Sequence, residues 1–138
     1  MRTISDFLGV YKVTREIADH RAEARSQFDG QAVIAATAEG ATYRETGGLI
    51  VNGQRFEAER SYLWQQAGDR IWVSFEDGRA FHDFDPQSGG LASEHLCGED
   101  MYRGGYEVSD WPLWSVTWNV KGPRKDYRSV TIYEMCSR

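Results

Sequence analysis

The strongest constraint on the fold is a period-two alternation of apolar and polar residues that recurs along the chain. In residues 114–120, Trp114, Val116 and Trp118 alternate with Ser115, Thr117 and other polar residues. Ranges 11–17, 56–64 and 71–75 show the same pattern. Alternation of this kind is typical of β-strands with one buried face. It predicts a chain built mostly of half-buried strands.

Turn signals separate the alternating segments. Asn52-Gly53 and Asp77-Gly78 are typical of type I′ hairpin turns. Further signals are Gly47-Gly48, Gly68-Asp69, Ser88-Gly89-Gly90, Gly104-Gly105 and Gly122-Pro123. Short connections favour antiparallel pairing of successive strands. We therefore predict an all-β fold, a single antiparallel up-and-down barrel of eight to ten strands.

Two segments lack the alternation. Residues 16–26 contain good helix formers, but we interpret them as strand ends around a turn. Residues 3–8 are predicted to form a short helical plug before the first strand. No repeat, linker or low-complexity tract interrupts the sequence, so residues 1–138 are predicted to form one domain. Its five Trp, seven Tyr and six Phe must fill much of the interior.

The net charge, the N-terminal residues and the cysteines limit the classes of partner and compartment that we expect. Sixteen Lys and Arg against 21 Asp and Glu give a net charge of −5, which argues against nucleic acid or an anionic membrane as partner. The N-terminal residues lack the apolar stretch of a signal peptide, so we expect a cytoplasmic protein. Cys97 and Cys136 are expected to be reduced thiols, and their spacing does not demand a bridge.

Five ordered motifs resemble a bacterial family known only as a domain of unknown function. They are Tyr43-Arg44-Glu45-Thr46-Gly47, residues 60–64, residues 75–82, residues 95–102 and residues 122–127. The opening Phe7-Leu8-Gly9-Val10-Tyr11 resembles the Gly-x-Trp start of calycin barrels, with Tyr in place of Trp. The resemblance covers nearly the whole chain and implies a lipocalin-like barrel. It supplies no activity and no catalytic residue.

Four charged or titratable residues share the phase of apolar neighbours. Arg15, Glu45, Arg60 and His82 are therefore predicted to enter the barrel, where an unpaired charge is costly. Two arginines against one glutamate leave a positive excess, and the guanidinium fork matches carboxylate or phosphate. We predict a small anionic ligand with an apolar or aromatic body. Arg60 would hold its anion, and Arg15, Tyr43 and Trp118 would contribute to the pocket.

A structural interpretation of the same residues stays open. Glu45 would form an ion pair with Arg60 between neighbouring strands, completed by Tyr43 and Tyr62. Arg15, close to its strand end, would extend to solvent.

His82 is the candidate for proton transfer. An inward histidine with an ordinary pKa of about 6.5 serves as acid or base near neutral pH. Glu45 would orient it, and Tyr62 would donate to a developing oxyanion. The second hypothesis is therefore an enzyme of lyase or isomerase type. By resemblance, phenolic acid decarboxylases also work inside such barrels, but this chain lacks their motif. The alternative is a hydrogen-bonded core histidine.

Residues 122–127 place several charges in one turn. Arg124, Lys125, Asp126 and Tyr127 would clamp a phosphate or carboxylate at the barrel mouth. Alternatively, Asp126 pairs with Arg124 or Lys125 in an exposed loop.

Further residues are assigned to the same end of the barrel. Asp100 and Tyr102 are expected to close it, and His95 is a further ligand candidate. His95 and Cys97, two apart, would share a strand face, but with His82 and Asp100 they match no standard zinc spacing. We predict no metal and no cofactor, although the sequence does not distinguish a haem ligand from any other histidine. Alternatively, Cys97 is a small buried hydrophobe, and His95 caps a strand.

The third hypothesis is an interaction protein with a packed interior. Trp72 and Phe81 are out of phase with the inward set and are predicted to face outward, where they would suit a homodimer interface. No Gly-rich phosphate loop and no Gly-x-Ser-x-Gly elbow is present.

Overall fold

The computed structural model describes residues 1–137 and is almost entirely β-structure. A short helix, α1 (Ile4–Phe7), precedes the strands, as predicted. The strands are β1 (Gly9–Asp19), β2 (Ala24–Ala36), β3 (Gly40–Val51), β4 (Gln54–Ala67), β5 (Arg70–Phe75), β6 (Ala80–Phe84), β7 (Gly90–Leu91), β8 (His95–Cys97), β9 (Asp100–Glu107), β10 (Trp114–Lys121) and β11 (Asp126–Ser137). No helix within residues 1–137 is long and apolar enough to cross a membrane.

The strands form one antiparallel, nearly closed barrel, which confirms the predicted fold class. The order is β6-β5-β4-β3-β2-β1-β11-β10-β9-β7, and β8 pairs with β9 beside this path. At the seam between the two ends, the Ser93 amide donates to the Asp83 carbonyl at 3.0 Å. The Asp83 amide donates to Ser93 Oγ at 2.9 Å. These bonds bring β6 close to the segment after β7.

Residues 16–26 form strand ends and a turn, as predicted. The Asp19 carboxylate accepts hydrogen bonds from the backbone amides of Arg21 and Ala22, both at 3.1 Å. Glu23 has φ of 50°, a left-handed conformation that ends the turn. Continuous pairing of β1 with β2 and β11 on either side outweighs the helix propensity of this segment.

Two predicted turns lie inside strands instead. Gly47-Gly48 belongs to β3, and Gly104-Gly105 belongs to β9. Gly104 has a packing role, because a Cβ there would lie 2.6 Å from ring carbons of Trp118. The glycine therefore lets the indole lie flat on β9.

A β-bulge places Phe81 inward, so the prediction that it faces outward is wrong. Val73 pairs with His82 and Ser74 pairs with Ala80, which leaves Phe81 as an additional residue on β6. Its ring stacks between those of Phe75 and Trp118, with centroids at 4.9 and 5.1 Å. Trp72, in contrast, is 49% exposed on the outer face.

Helix α1 closes one end of the barrel with a fully buried ring, that of Phe7. Edge-on contacts join this ring to Trp64, Trp111 and Trp114, with centroids 4.8–5.5 Å apart. Tyr11 Oη donates to the Phe7 carbonyl at 2.6 Å, which ties the helix to β1. The end near α1 is therefore filled with rings.

Replacing Phe7 by Ala should lower the free energy of unfolding by about 3–5 kcal/mol, because the removed ring leaves a cavity. Urea unfolding followed by tryptophan fluorescence measures the change. Phe56→Ala is the control, since Phe56 is half exposed on β4 and its loss should cost far less. Equal losses for both variants would contradict the role of Phe7 as a plug.

Candidate functional site

The barrel encloses a cavity of about 770 Å³ at the end opposite α1. Its mouth lies between the strand ends at Asp19 of β1, Tyr127 of β11 and the exposed Leu96 and Cys97 of β8. Aromatic side chains form much of its wall, among them Tyr62, Phe75, Phe81, Tyr102, Trp118 and Tyr127. The interior is therefore not packed throughout.

A buried ion pair, Arg15 with Glu45, forms part of the polar side of the cavity, and Arg15 itself lines the wall. Arg15 Nη2 and Nη1 donate to the two carboxylate oxygens of Glu45 at 2.6 and 2.9 Å, and Arg15 Nε donates to Thr131 Oγ1 at 2.7 Å. Tyr43 Oη donates to Glu45 Oε1 at 2.6 Å and lies 2.7 Å from Tyr133 Oη. Each of the three guanidinium nitrogens of Arg15 thus donates a hydrogen bond.

The positions of these residues explain the pair. Arg15 on β1 pairs with Phe28 of β2, and Glu45 on β3 pairs with Ala32 of the same strand. Between these two positions, on the same face of β2, lies Gly30, which has no side chain. Two long side chains therefore meet across one strand. Burial by itself would raise the pKa of Glu45, but the hydrogen bonds and charge of Arg15 hold it below its usual value.

The expectation that Arg15 extends to solvent is wrong, because its side chain is only 5% exposed. Arg15, rather than Arg60, makes the short contacts to Glu45. Arg60 Nε lies 3.3 Å from Glu45 Oε2. Tyr62 forms no hydrogen bond with this pair in residues 1–137, and its ring packs against Tyr43 and Phe81 instead.

Arg60 is the interior cation with unused donors. It lies on the cavity wall, its side chain is 48% exposed, and no residue of the described chain accepts a hydrogen bond from its terminal nitrogens. Burial and the neighbouring Arg15 charge oppose its ionisation, but Tyr62 and Glu45 leave its pKa raised. Two guanidinium groups thus share one carboxylate, an arrangement that the sequence analysis did not predict.

His82 is buried on the deep wall of the cavity and pairs with a residue that sequence reasoning missed. His82 Nε2 lies 2.8 Å from Tyr106 Oη, and Nδ1 has no partner among residues 1–137. No hydrogen bond connects His82 with Glu45 or Tyr62 in that range. Burial lowers the pKa of His82 to about 3, against a smaller opposing effect of Asp83. The imidazole is therefore neutral at pH 7, and its proton-transfer role stays a prediction.

The turn after β10 meets β9 at the mouth, as predicted for Asp100 and Tyr102. Lys125 Nζ lies 3.5 Å from Asp100 Oδ2 and 3.5 Å from Tyr102 Oη. Asp126 pairs with Lys121 at 3.7 Å, so the predicted alternative pairing with Arg124 or Lys125 is not formed.

The cavity wall includes only part of this mouth cluster. Tyr102 and Tyr127 line the cavity, whereas Arg124, Lys125, Asp126 and Asp100 lie outside its wall. Their role as an anion clamp stays a prediction.

His95 and Cys97 lie at the mouth without forming a metal site. The His95 ring contacts Phe81 and Phe75, with centroids at 5.2 and 5.7 Å. Cys97 is exposed, so the alternative of a buried thiol is wrong, and Cys136 is likewise a free, exposed thiol. Over residues 1–137, no group of three or more His, Cys, Asp or Glu side chains is arranged to hold a metal ion.

Sequence reasoning also missed Thr131 and Tyr133. Both point inward from β11, whereas the more apolar Ile132 between them is 46% exposed. A rule that turns the more apolar phase inward therefore assigns this strand the wrong face. The sequence offers one partial signal for the correct face, Tyr133. Its large ring favours burial, and Thr131, two residues earlier, lies on the same face of the strand.

We expect Glu45→Gln to lower the free energy of unfolding by about 3–5 kcal/mol, since it leaves two guanidinium groups without a buried counter-charge. Chemical denaturation at pH 7 measures the change. The matched control is Glu59→Gln, which removes an exposed pair with Arg44 and should change stability by less than about 1 kcal/mol. A Glu45→Gln protein as stable as the control would show that the pair is dispensable.

His82 should also make stability depend on pH. Because its pKa falls from 6.5 unfolded to about 3 folded, the unfolded chain binds the additional proton as the pH drops below 6.5. Between pH 6 and pH 4, wild type should lose about 1.4 kcal/mol per pH unit more than His82→Gln. Denaturant titrations of both proteins across this range supply the two slopes. Parallel slopes would mean that His82 takes up its proton in the folded barrel.

Comparison with solved structures shows the fold. The S-type phycobiliprotein lyase from Guillardia theta superposes with a TM-score of 0.66 at 8% identity, over 98% of this chain and 91% of that one. A DUF3598 family protein of unknown function from Nostoc punctiforme gives a TM-score of 0.62 at 10% identity, over 96% of this chain and 48% of the other. At these identities the likeness concerns the barrel alone.

Comparison of the sequence gives the family. No curated protein matches the chain. The family model described as "Family of unknown function (DUF6314)" matches residues 7–135, from the plug ring Phe7 to Met135 near the end of β11. The match includes every strand that forms the cavity, and the chain therefore belongs to the DUF6314 family of unknown function.

Proposed function

We propose that the barrel binds a small anionic molecule with an apolar or aromatic body, and that Arg60 holds its carboxylate or phosphate. The observation that carries this proposal is a cavity of about 770 Å³ with a guanidinium on its wall whose terminal nitrogens are unused. Small-molecule sites typically measure about 300–1,000 Å³.

The charges around the cavity favour an anion over a cation. Glu45 is already engaged by Arg15 and Tyr43, so it offers little to a cationic ligand. Among the other charged wall residues, Arg79 pairs with Asp77, and Asp19 lies at the mouth with its carboxylate accepting backbone amides. Arg60 is thus the group best placed to meet a ligand charge.

The rings around Arg60 would bind the ligand body. Phe75, Phe81 and Trp118 form a stack, with Tyr62 tilted against Phe81 at 5.7 Å. Flat, rigid side chains supply contact area at low entropic cost, and offset stacking favours planar ligands. An aryl acid of moderate size would fit both features.

Ligand binding is favoured over the two other hypotheses. The open cavity argues against an interaction protein with a packed interior. The neutral His82, paired with Tyr106 and not with Glu45, argues against a ready acid–base couple. The cytoplasmic location and a homodimer stay predictions.

Two matched dyes test the role of Arg60. 8-Anilinonaphthalene-1-sulfonate carries an anion, and N-phenyl-1-naphthylamine is the same ring system without it. Arg60→Leu should weaken binding of the sulfonate by about tenfold or more, since charge-assisted hydrogen bonds are lost, and should leave the neutral dye unchanged. Fluorescence titration gives both dissociation constants.

Arg44→Leu is the control, because Arg44 is exposed and paired with Glu59, and its loss removes the same charge. It should change neither dissociation constant by more than about twofold. If Arg60→Leu binds the sulfonate as wild type does, or if both arginine variants weaken it equally, Arg60 does not hold the anion.

A further inference from the structure

Two buried nitrogen atoms on residues of the cavity wall have no hydrogen-bond partner. They are His82 Nδ1 and Trp114 Nε1, and among residues 1–137 they are the buried side-chain polar atoms left unsatisfied. The Trp114 ring stacks on Tyr133 at 3.9 Å and faces Tyr106 at 6.3 Å. An indole N–H is a donor only, so a hydrogen bond to Trp114 Nε1 requires an acceptor atom.

The His82–Tyr106 pair also has an unused donor, whichever tautomer it adopts. If Tyr106 Oη donates to Nε2, the Nδ1–H of His82 is left over. If Nε2–H donates to Tyr106 instead, the phenolic hydrogen is left over. Together with Trp114, the pair presents two unused donors, and we name the three residues His82, Tyr106 and Trp114 the deep donor site.

The deep donor site lies far from Arg60 along the barrel. Val73 pairs with both Trp64 and His82, so His82 lies level with Trp64. Trp64 and Trp114 both contact the plug ring of Phe7, so this level of the barrel is the one next to α1. Arg60 is four residues from Trp64 on β4, which corresponds to roughly 13 Å along the strand. One elongated molecule could therefore reach both places.

We propose that the deep donor site binds a neutral carbonyl oxygen at the far end of the ligand whose anion Arg60 holds. The inference rests on the proposed function and adds the chemistry of the other ligand end. A carbonyl oxygen has two lone pairs, so it can accept a hydrogen bond from each of two donors. Both nitrogens are buried in this structure, so binding requires each ring to rotate about χ2, a broad torsion in histidine and tryptophan, until its N–H reaches the cavity.

A second carboxylate fits this site less well than a carbonyl. None of its three residues is a permanent cation, and the low pKa of His82 keeps the imidazole neutral. A buried carboxylate without a counter-charge is strongly disfavoured. The ligand class is therefore an elongated oxo acid, with its acid group toward the mouth and its carbonyl toward α1.

Two probes of the same shape test this. 4′-Acetylbiphenyl-4-carboxylate carries a ketone opposite its acid, and 4′-isopropenylbiphenyl-4-carboxylate replaces the ketone oxygen by a methylene. Wild type should bind the ketone about tenfold more tightly by calorimetry. The infrared carbonyl stretch of the bound ketone should lie at lower wavenumber than in hexane, as hydrogen bonding requires.

Two variants test whether the deep donor site causes the preference for the ketone probe. His82→Phe should reduce the preference for the ketone to below about threefold while the isopropenyl probe still binds, which shows that the cavity is intact. His95→Phe, the same change at the mouth, should keep the preference. If His82→Phe does not fold, the proposal is decided by two measurements on wild type, the affinity ratio of the two probes and the infrared shift of the bound ketone.

The outcomes separate the two proposals. Equal affinities for both probes, each weakened by Arg60→Leu, would overturn the carbonyl site and leave the anion site standing. A ketone preference that His82→Phe and His95→Phe leave equally intact would also overturn it. If neither probe binds wild type at millimolar concentration, the proposed function falls together with this inference.

Discussion

The buried contact between Arg15 and Glu45 is the interaction on which the interior depends. A carboxylate with 1% residue exposure is tolerated only because two guanidinium nitrogens and a phenol donate to it at 2.6–2.9 Å. The pair joins β1 to β3 across β2, and Thr131 and Tyr133 extend it to β11. Side chains of three strands, β1, β3 and β11, thus meet at one polar centre, and aromatic rings form much of the remaining cavity wall.

The two ends of the barrel differ for a related reason. At the α1 end, Phe7 lies among Trp64, Trp111 and Trp114, and the rings fill the space. At the other end, strands β1, β2 and β11 continue past the polar centre and enclose the cavity. The bulge at Phe81 adds a ring to the wall without lengthening the strand. A filled end and an open end give the cavity a single direction of entry.

Alternation predicted the barrel and the inward phase of Arg15, Glu45, Arg60 and His82, because both follow from the two-residue repeat of a strand. Alternation assigned the wrong face where a bulge breaks the two-residue repeat and where a strand buries its more polar residues. The bulge turned Phe81 inward, and β11 buries Thr131 while exposing Ile132. Partners on strands that do not pair, such as Tyr106 of β9 for His82 of β6, depend on how the barrel closes, which no single segment encodes.

The distance of 3.3 Å between Arg60 Nε and Glu45 Oε2 lets one carboxylate serve both stability and the anion binding that we propose. Glu45 is near enough to hold the Arg60 guanidinium in place, yet its short contacts belong to Arg15. Arg60 therefore remains oriented toward the cavity with its terminal nitrogens free. A guanidinium fixed before binding loses less side-chain freedom when an anion arrives, and preorganisation of this kind raises affinity without any added contact. On the proposed function, a neutral ligand would gain nothing from this arrangement and a cation would meet repulsion, so the same geometry would select the sign of the ligand charge.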